Sequence, residues 1–140
     1  MKKGPTQKKN ENILKTVFSS DVATFHFAAS NKGSYNSSLY SMPWIFDGLM
    51  RKGKGDLPEL AIAESFTVSE DQLEYTFYLR DAKWSDGANV TAYDFEYAWK
   101  KVLDPHSKSR TILPELFYPI RSVKKFVQGL CSFEDVGIIV

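Results

Sequence analysis

The clearest hydrophobic pattern in the chain is an alternation in residues 73–80, where apolar side chains occupy every second position. A period of two places successive side chains on opposite faces of an extended strand. The pattern therefore predicts a strand with one buried face. Its apolar positions are Leu73, Tyr75, Phe77 and Leu79.

A helix is predicted over residues 92–103, where apolar side chains recur at intervals of three and four. Thr91 is a suitable N-cap, with Asp94 as the acidic member of a capping box. Pro105 ends the helix, because the residue before a proline avoids helical geometry. Asp86–Gly87 predicts the turn that connects strand and helix. The apolar stripe of the helix consists of Phe95, Ala98, Trp99 and Val102.

The strand and the helix are expected to share one core. Residues 64–68 predict a second strand, which residues 69–72 join to the first as a β-hairpin. Phe77 and Leu79 need an apolar cover, and the helix stripe can supply it. Trp84 is expected to be buried with the same group of aromatic rings.

Weaker patterns predict the other elements. Pro43 favours a kink or a late start in the first predicted helix, and Gly129 closes the second. These elements are strands at 13–18 and 48–52, helices at 36–46 and 121–128, and the start of a strand at 138–140.

Ten short motifs in this order carry a family resemblance over residues 13–138. They are Phe46-Asp47-Gly48-Leu49, Pro58-Glu59-Leu60-Ala61, Ala63-Glu64-Ser65-Phe66, Tyr75 to Arg80, Trp84 to Gly87, Thr91-Ala92, Asp94-Phe95, Ala98-Trp99, Asp104-Pro105 and Val136-Gly137-Ile138. The chain thereby resembles the extracellular solute-binding proteins of peptide ABC importers, the oligopeptide- and dipeptide-binding family. Ten motifs in register are specific for this family, though not for its ligand.

The resemblance implies a mixed α/β (α+β) fold that is the N-terminal part of a two-lobed, periplasmic-binding-protein-like architecture. Apart from the resemblance, the lysine content of residues 1–12 predicts a disordered basic tail. Residues 13–46 begin the large first lobe, and residues 47–140 form most of the smaller domain, incomplete at the C-terminus. Family members usually carry glycine where Gln72 stands, so a turn that needs positive φ there would be strained.

The resemblance also implies a ligand site made of two loops at the lip of a cleft. Polar loops suit peptides of varied sequence, which are held through backbone hydrogen bonds and hydrated pockets. Solvated connections explain the same residues equally well. The candidate peptide-contacting residues are Tyr35, Asn36, Ser37, Ser38, Ser109, Arg110 and Thr111.

Composition narrows the function classes. The 140 residues carry a net charge of +1, with 25% charged and 43% hydrophobic side chains, as in ordinary soluble domains. Five lysines and one glutamate lie in residues 1–15, which leaves about −3 for the rest of the chain. No overall field therefore favours nucleic acid as a partner.

The sequence contains no recognisable combination of catalytic or metal-binding residues. His26 and His106 are far apart and lack companion ligands at metal spacing, so neither a metal nor a cofactor is predicted. Cys131 is a lone thiol, which leaves no internal disulfide. No paired carboxylates, nucleophile with base, or phosphate-binding glycine loop is evident, so the chain is not predicted to be an enzyme.

Two functional interpretations remain open. In the first, the chain is a truncated substrate-binding component that delivers peptides to the membrane permease of an ABC importer. In the second, it is a non-binding remnant or a stand-alone interaction domain of the same family. A separately encoded remainder of the protein is a further possible partner. The resemblance implies a periplasmic or cell-surface location, whereas the lack of a visible signal peptide implies a cytoplasmic one if the chain is full length.

Overall fold

A computed structural model describes residues 42–106 and 114–140. Strands and helices both occur, as the mixed fold class predicts. The strands are β1 (Met50–Lys52), β2 (Pro58–Leu60), β3 (Ala63–Val68) and β4 (Tyr75–Leu79), and the helices are α1 (Ala92–Leu103) and α2 (Val123–Val127). Short 3-10 turns lie at Met42–Trp44, Lys54–Asp56, Pro114–Phe117 and Phe133–Asp135.

The strands form two antiparallel ribbons, β1 with β2 and β3 with β4. The ribbons are linked where Leu49 O accepts hydrogen bonds from the backbone N–H of Ala61 (3.0 Å) and of Ala63 (3.1 Å). Both alanines are buried, at 3% and 0% exposure. Small side chains at this junction let the two backbones approach each other closely.

The predicted hairpin is confirmed as β3 and β4, in a register that pairs Phe66 with Phe77. The prediction that all four alternating side chains of residues 73–80 are buried is wrong. Phe77 and Leu79 are half-buried, whereas Leu73 is 80% exposed and Tyr75 57% exposed. The apolar face of the ribbon is therefore half-buried at Phe77 and Leu79 and exposed toward the hairpin turn.

Helix α1 has the bounds that the sequence predicts. The Asp94 carboxylate accepts hydrogen bonds from the backbone N–H of Thr91 (2.7 Å) and from its hydroxyl (3.1 Å). Asp104, before Pro105, follows the last helical residue. Local capping and proline geometry thus set both ends of the helix, independently of its packing.

The hydrophobic core lies between the end of α1 and the C-terminal segment. Half-buried apolar residues, Phe117 and Phe126 among them, pack around it. Lys100 Nζ lies 4.8 Å from the centre of the Phe133 ring, which further ties α1 to the last turn. The buried residues of this core are Leu103, Val123, Val127, Phe133 and Val136.

Trp99 of the helix stripe packs beside Phe117, which borders this core. The packing of the stripe on Phe77 and Leu79 of the hairpin stays a prediction. The Trp99 ring lies 6.2 Å from the Phe95 ring and 6.3 Å from the Phe117 ring, both edge to face. The prediction that Trp84 is buried is wrong, because its side chain is 43% exposed. Trp84 belongs to the turn before the helix, where its backbone N–H bonds Ala88 O at 2.8 Å.

Some of the other predicted helices and strands are shorter in the structure than expected, and some of these predictions are wrong. Helix 121–128 is observed as α2, and Gly129 closes it with φ +72°. Residues 45 and 46, predicted as helical, follow a 3-10 turn that contains Pro43. No strand forms at 138–140: the Ile138 N–H turns back to Val136 O at 2.8 Å, and no described strand lies beside it. Strand 13–18 lies outside the described residues.

Strand β2 is not among the predicted elements, because three residues are too few to show a hydrophobic period. Pro58 pairs with Lys52 at the end of a two-stranded ribbon. At such a position, the missing proline N–H costs the ribbon few backbone hydrogen bonds.

Candidate functional site

The seven candidate peptide-contacting residues lie outside the described residues. The structure describes both flanks of the second candidate segment, whereas for the first it describes only the chain from residue 42 onward. Four of the seven are in residues 35–38 and three in residues 109–111.

The second candidate segment, residues 107–113, is fixed at both ends. On the entry side, the His106 backbone N–H donates to Asp104 Oδ1 at 2.8 Å, directly after α1. On the exit side, the turn Pro114–Phe117 places the Phe117 ring against Trp99 of the same helix. Both flanks are thus held near the C-terminal half of α1, whose last residue, Leu103, is 1% exposed.

An exposed apolar run follows the first candidate segment. Met42 is 6% exposed, and its carbonyl accepts the backbone N–H groups of Ile45 and Phe46, both at 2.9 Å. Three large side chains then face solvent: Trp44 at 59%, Ile45 at 56% and Phe46 at 48%. Sequence analysis missed this surface, because apolar letters alone do not distinguish an exposed run from a buried one.

Three carboxylates, those of Asp71, Asp86 and Asp94, stabilise turns and a helix cap. The pKa of Asp94 is lowered, mainly by the hydrogen bond from the Thr91 backbone N–H. The pKa of Asp71 is lowered, first by the Ser69 hydroxyl and then by the Leu73 backbone N–H. Asp86 Oδ1 accepts the Ala88 N–H at 2.9 Å. Each of these carboxylates accepts a hydrogen bond from a backbone N–H in its own turn and so stabilises the conformation of that turn.

Glu134 also has a lowered pKa, mainly through a hydrogen bond from its own backbone N–H and a further one from the Ser132 hydroxyl, with a smaller contribution from the charge of Lys100. Across residues 42–106 and 114–140, no group of three or more His, Cys, Asp or Glu side chains is placed to hold a metal ion.

Comparison with known families identifies this scaffold. Residues 58–125, from β2 into α2, match the middle region of the bacterial extracellular solute-binding proteins, family 5. The chain belongs to this family. The match contains the hairpin, the capped helix and the flanks of residues 107–113, and it confirms the family resemblance seen in the motifs.

Two curated relatives come from Bacillus subtilis. A dipeptide-binding protein is 51% identical over 107 residues, which are 76% of this chain and 19% of that protein. An oligopeptide-binding protein is 35% identical over 133 residues, which are 93% of this chain and 24% of that protein. The chain therefore spans about a fifth of the length of these relatives, which are named as binding proteins and not as enzymes.

Solved structures agree with this assignment. A peptide-bound OppA of Listeria monocytogenes matches with a TM-score of 0.69 at 30% identity, over 79% of this chain and 21% of that one. The substrate-binding domain of an oligopeptide ABC transporter of Bacillus anthracis matches with a TM-score of 0.61 at 40% identity, over 66% of this chain and 18% of that one. The expected fold class is confirmed: this mixed α/β chain covers part of the fold of such binding proteins.

Proposed function

We propose that this chain takes part in peptide binding as the substrate-binding component of a peptide ABC importer. The observation that carries the proposal is the family match over residues 58–125 together with 51% identity to a dipeptide-binding protein. The role is recognition and delivery of a peptide to a membrane permease, not catalysis. Family members are extracellular, so we propose a periplasmic or cell-surface location.

Within this function, residues 35–38 and 109–111 form one wall of the peptide site. The fixed flanks of residues 107–113 support this assignment, since a binding segment on a rigid support keeps its polar groups in place. We assign residues 47–140 to the smaller domain of the family and residues 13–46 to the start of the large lobe.

The opposite wall of the cleft belongs to the four-fifths of a family-length protein that these residues do not match. A two-lobed cleft gains affinity when it closes and removes water from the ligand. With one wall, peptide ends stay hydrated, and each polar contact competes with water. We therefore expect the 140 residues alone to bind peptides with a Kd of about 1 mM or weaker, equivalent to ~4 kcal/mol.

Calorimetric titration tests this expectation. The isolated chain and a chimera are titrated with the same mixture of di- to pentapeptides. In the chimera, this chain replaces its matching segment in the Bacillus subtilis oligopeptide-binding protein. That match takes in 93% of this chain and so includes both candidate segments. The chimera should bind at least about a hundredfold more tightly than the isolated chain, because it restores the second wall.

Alanine at Ser109, Arg110 and Thr111 in the chimera should weaken peptide binding about tenfold, through lost polar contacts. The matched control replaces Lys124 and Lys125, which are exposed on α2, and should leave affinity unchanged. Micromolar binding by the isolated chain would contradict the two-wall argument. Unchanged affinity in the triple variant would remove residues 109–111 from the site.

A second candidate function is a stand-alone interaction domain, with a separately encoded remainder of the protein as one partner. The exposed apolar side chains at residues 44–46 favour it, since contiguous apolar surface marks protein contacts. A chimera that folds but binds no peptide would favour this alternative over the peptide-binding one.

A further inference from the structure

The chain contains two Asp-Gly steps, Asp47-Gly48 and Asp86-Gly87, and the structure describes both. Such steps are prone to one backbone reaction, because glycine has no side chain to shield its nitrogen from the preceding carboxyl group. The nitrogen attacks the side-chain carbon Cγ, a C–N bond forms, and the Cγ–OH bond breaks. The departing hydroxyl takes the amide proton and leaves as water, so the product is a five-membered cyclic imide.

Water then opens the imide at one of its two carbonyl groups. Cleavage of the bond between Cγ and the nitrogen restores aspartate. Cleavage of the bond between the main-chain carbonyl carbon and the nitrogen gives isoaspartate, in which the main chain runs through the side-chain carbon and is one methylene longer. The reaction needs no oxidant, reductant or cofactor. Its rate depends on whether the carboxyl carbon can reach the nitrogen.

At Asp47 the two reacting groups lie side by side. The Gly48 N–H donates to Asp47 Oδ1 at 3.2 Å, so the carboxyl carbon lies beside the nitrogen that must attack it. The other carboxyl oxygen, Oδ2, accepts from Arg51 Nη1 at 3.4 Å, which holds the carboxyl group in this orientation. A Cβ at position 48 would lie 3.0 Å from Met50 O, so this backbone favours glycine and with it the reactive step.

At Asp86 the fold keeps the same groups apart. Asp86 Oδ1 accepts the N–H of Ala88 at 2.9 Å, one residue beyond the nitrogen that would react. The Gly87 N–H donates to Trp84 O at 2.9 Å, and the Trp84 N–H donates to Ala88 O at 2.8 Å. This turn must therefore open before its glycine nitrogen can attack. The second step is thus an internal control with the same dipeptide sequence.

We propose that Asp47-Gly48 is a site of isoaspartate formation in the folded chain, whereas Asp86-Gly87 is protected. The site lies at a junction, because Gly48 O accepts the Ile62 N–H at 2.9 Å and Met42 before it is buried. A longer main chain at residue 47 alters the connection between Met42 and the strand ribbons. The modification is independent of the proposed peptide-binding role, and it falls where residues 13–46 are assigned to meet residues 47–140.

Incubation of the full chain at neutral pH tests the proposal. Peptide mapping with electron-transfer fragmentation distinguishes isoaspartate from aspartate of the same mass and measures it at each site. Isoaspartate should form at Asp47 at least about tenfold faster than at Asp86, since reaction at Asp86 requires local opening of the turn. In denaturing urea both local structures are lost, so the two rates should become similar.

Variants at Ala88 test the protection of the second site. Ala88→Pro removes the N–H that holds the Asp86 carboxyl group, whereas Ala88→Ser, the matched control, keeps it. Proline should raise the rate at Asp86 toward that at Asp47, and serine should leave it unchanged. Equal rates at the two sites in the folded chain, the same ratio of rates in urea, or an unchanged rate at Asp86 in the proline variant would each overturn the proposal.

Discussion

Backbone conformation at single residues has measurable costs in this chain. Three residues other than glycine have positive φ in the described part of the chain: Asp56, Gln72 and Ser122, at 65°, 61° and 61°. The left-handed region is unfavourable for residues with a Cβ. At Gln72 the turn is held by its neighbours, since Asp71 Oδ1 accepts from the Ser69 hydroxyl (2.6 Å) and from the Leu73 N–H (3.1 Å).

Gln72→Gly should therefore stabilise the chain by about 0.5–1 kcal/mol, because glycine removes the steric cost of positive φ. Urea denaturation of the two proteins measures the change. Gln72→Ala is the matched control: it shortens the side chain but keeps the Cβ, so it should bring no gain. Equal stability of the Gly and Ala variants would show that positive φ is not strained in this turn.

The lowered pKa of Asp94 makes the start of α1 sensitive to acid. A carboxyl group whose folded pKa is depressed adds stability above its unfolded pKa, near 4, and loses it as pH falls through the folded pKa. Asp94→Asn should thus destabilise the chain at about pH 6, and the difference from the original chain should shrink toward about pH 3. Denaturant melts across this range measure it. A difference that is constant with pH would contradict the capping role.

At the scale of elements, the predictions that succeeded rest on local information. Helix 92–103 has its cap, its apolar stripe and its stop within its own sequence, so its bounds could be predicted. The strand predicted at 138–140 is not observed, and the apolar run alone could not show this, because a strand forms only beside a partner strand. The exposure of Tyr75 could not be predicted either. The alternation in residues 73–80 shows which face of the strand is apolar, but not whether another element covers that face.

The packing of α1 gives a test at this scale. Trp99 is half-buried between the Phe95 and Phe117 rings. Trp99→Ala should cost about 2–4 kcal/mol, at or below the usual range for a fully buried tryptophan. Tyr97→Ala, on the same helix but 64% exposed, should cost under ~1 kcal/mol. Guanidinium melts compare the two, and similar losses in both variants would contradict the assigned helix face.

At the scale of the whole molecule, the part of the chain that the structure describes has few buried hydrophobic residues and many exposed large ones. The chain matches about a fifth of the length of its relatives, and its large exposed side chains include Trp44, Phe66 and Tyr75. The family could be recognised from ordered motifs in residues 46–138. The candidate peptide site could be assigned only through that resemblance, because serine, asparagine and threonine in a loop have no pattern of their own that specifies a ligand.

The two anchored flanks of residues 107–113 have a consequence for how ligand preference can change during evolution. Their spacing is set by Leu103, Trp99 and Phe117, none of which belongs to the segment between them. The entropy cost of closing a chain between fixed points grows only with the logarithm of its length, so doubling the segment would cost about 0.6 kcal/mol. Insertions here should therefore destabilise the fold little, and under the proposed function ligand range could diversify through the length of the segment as well as through its side chains.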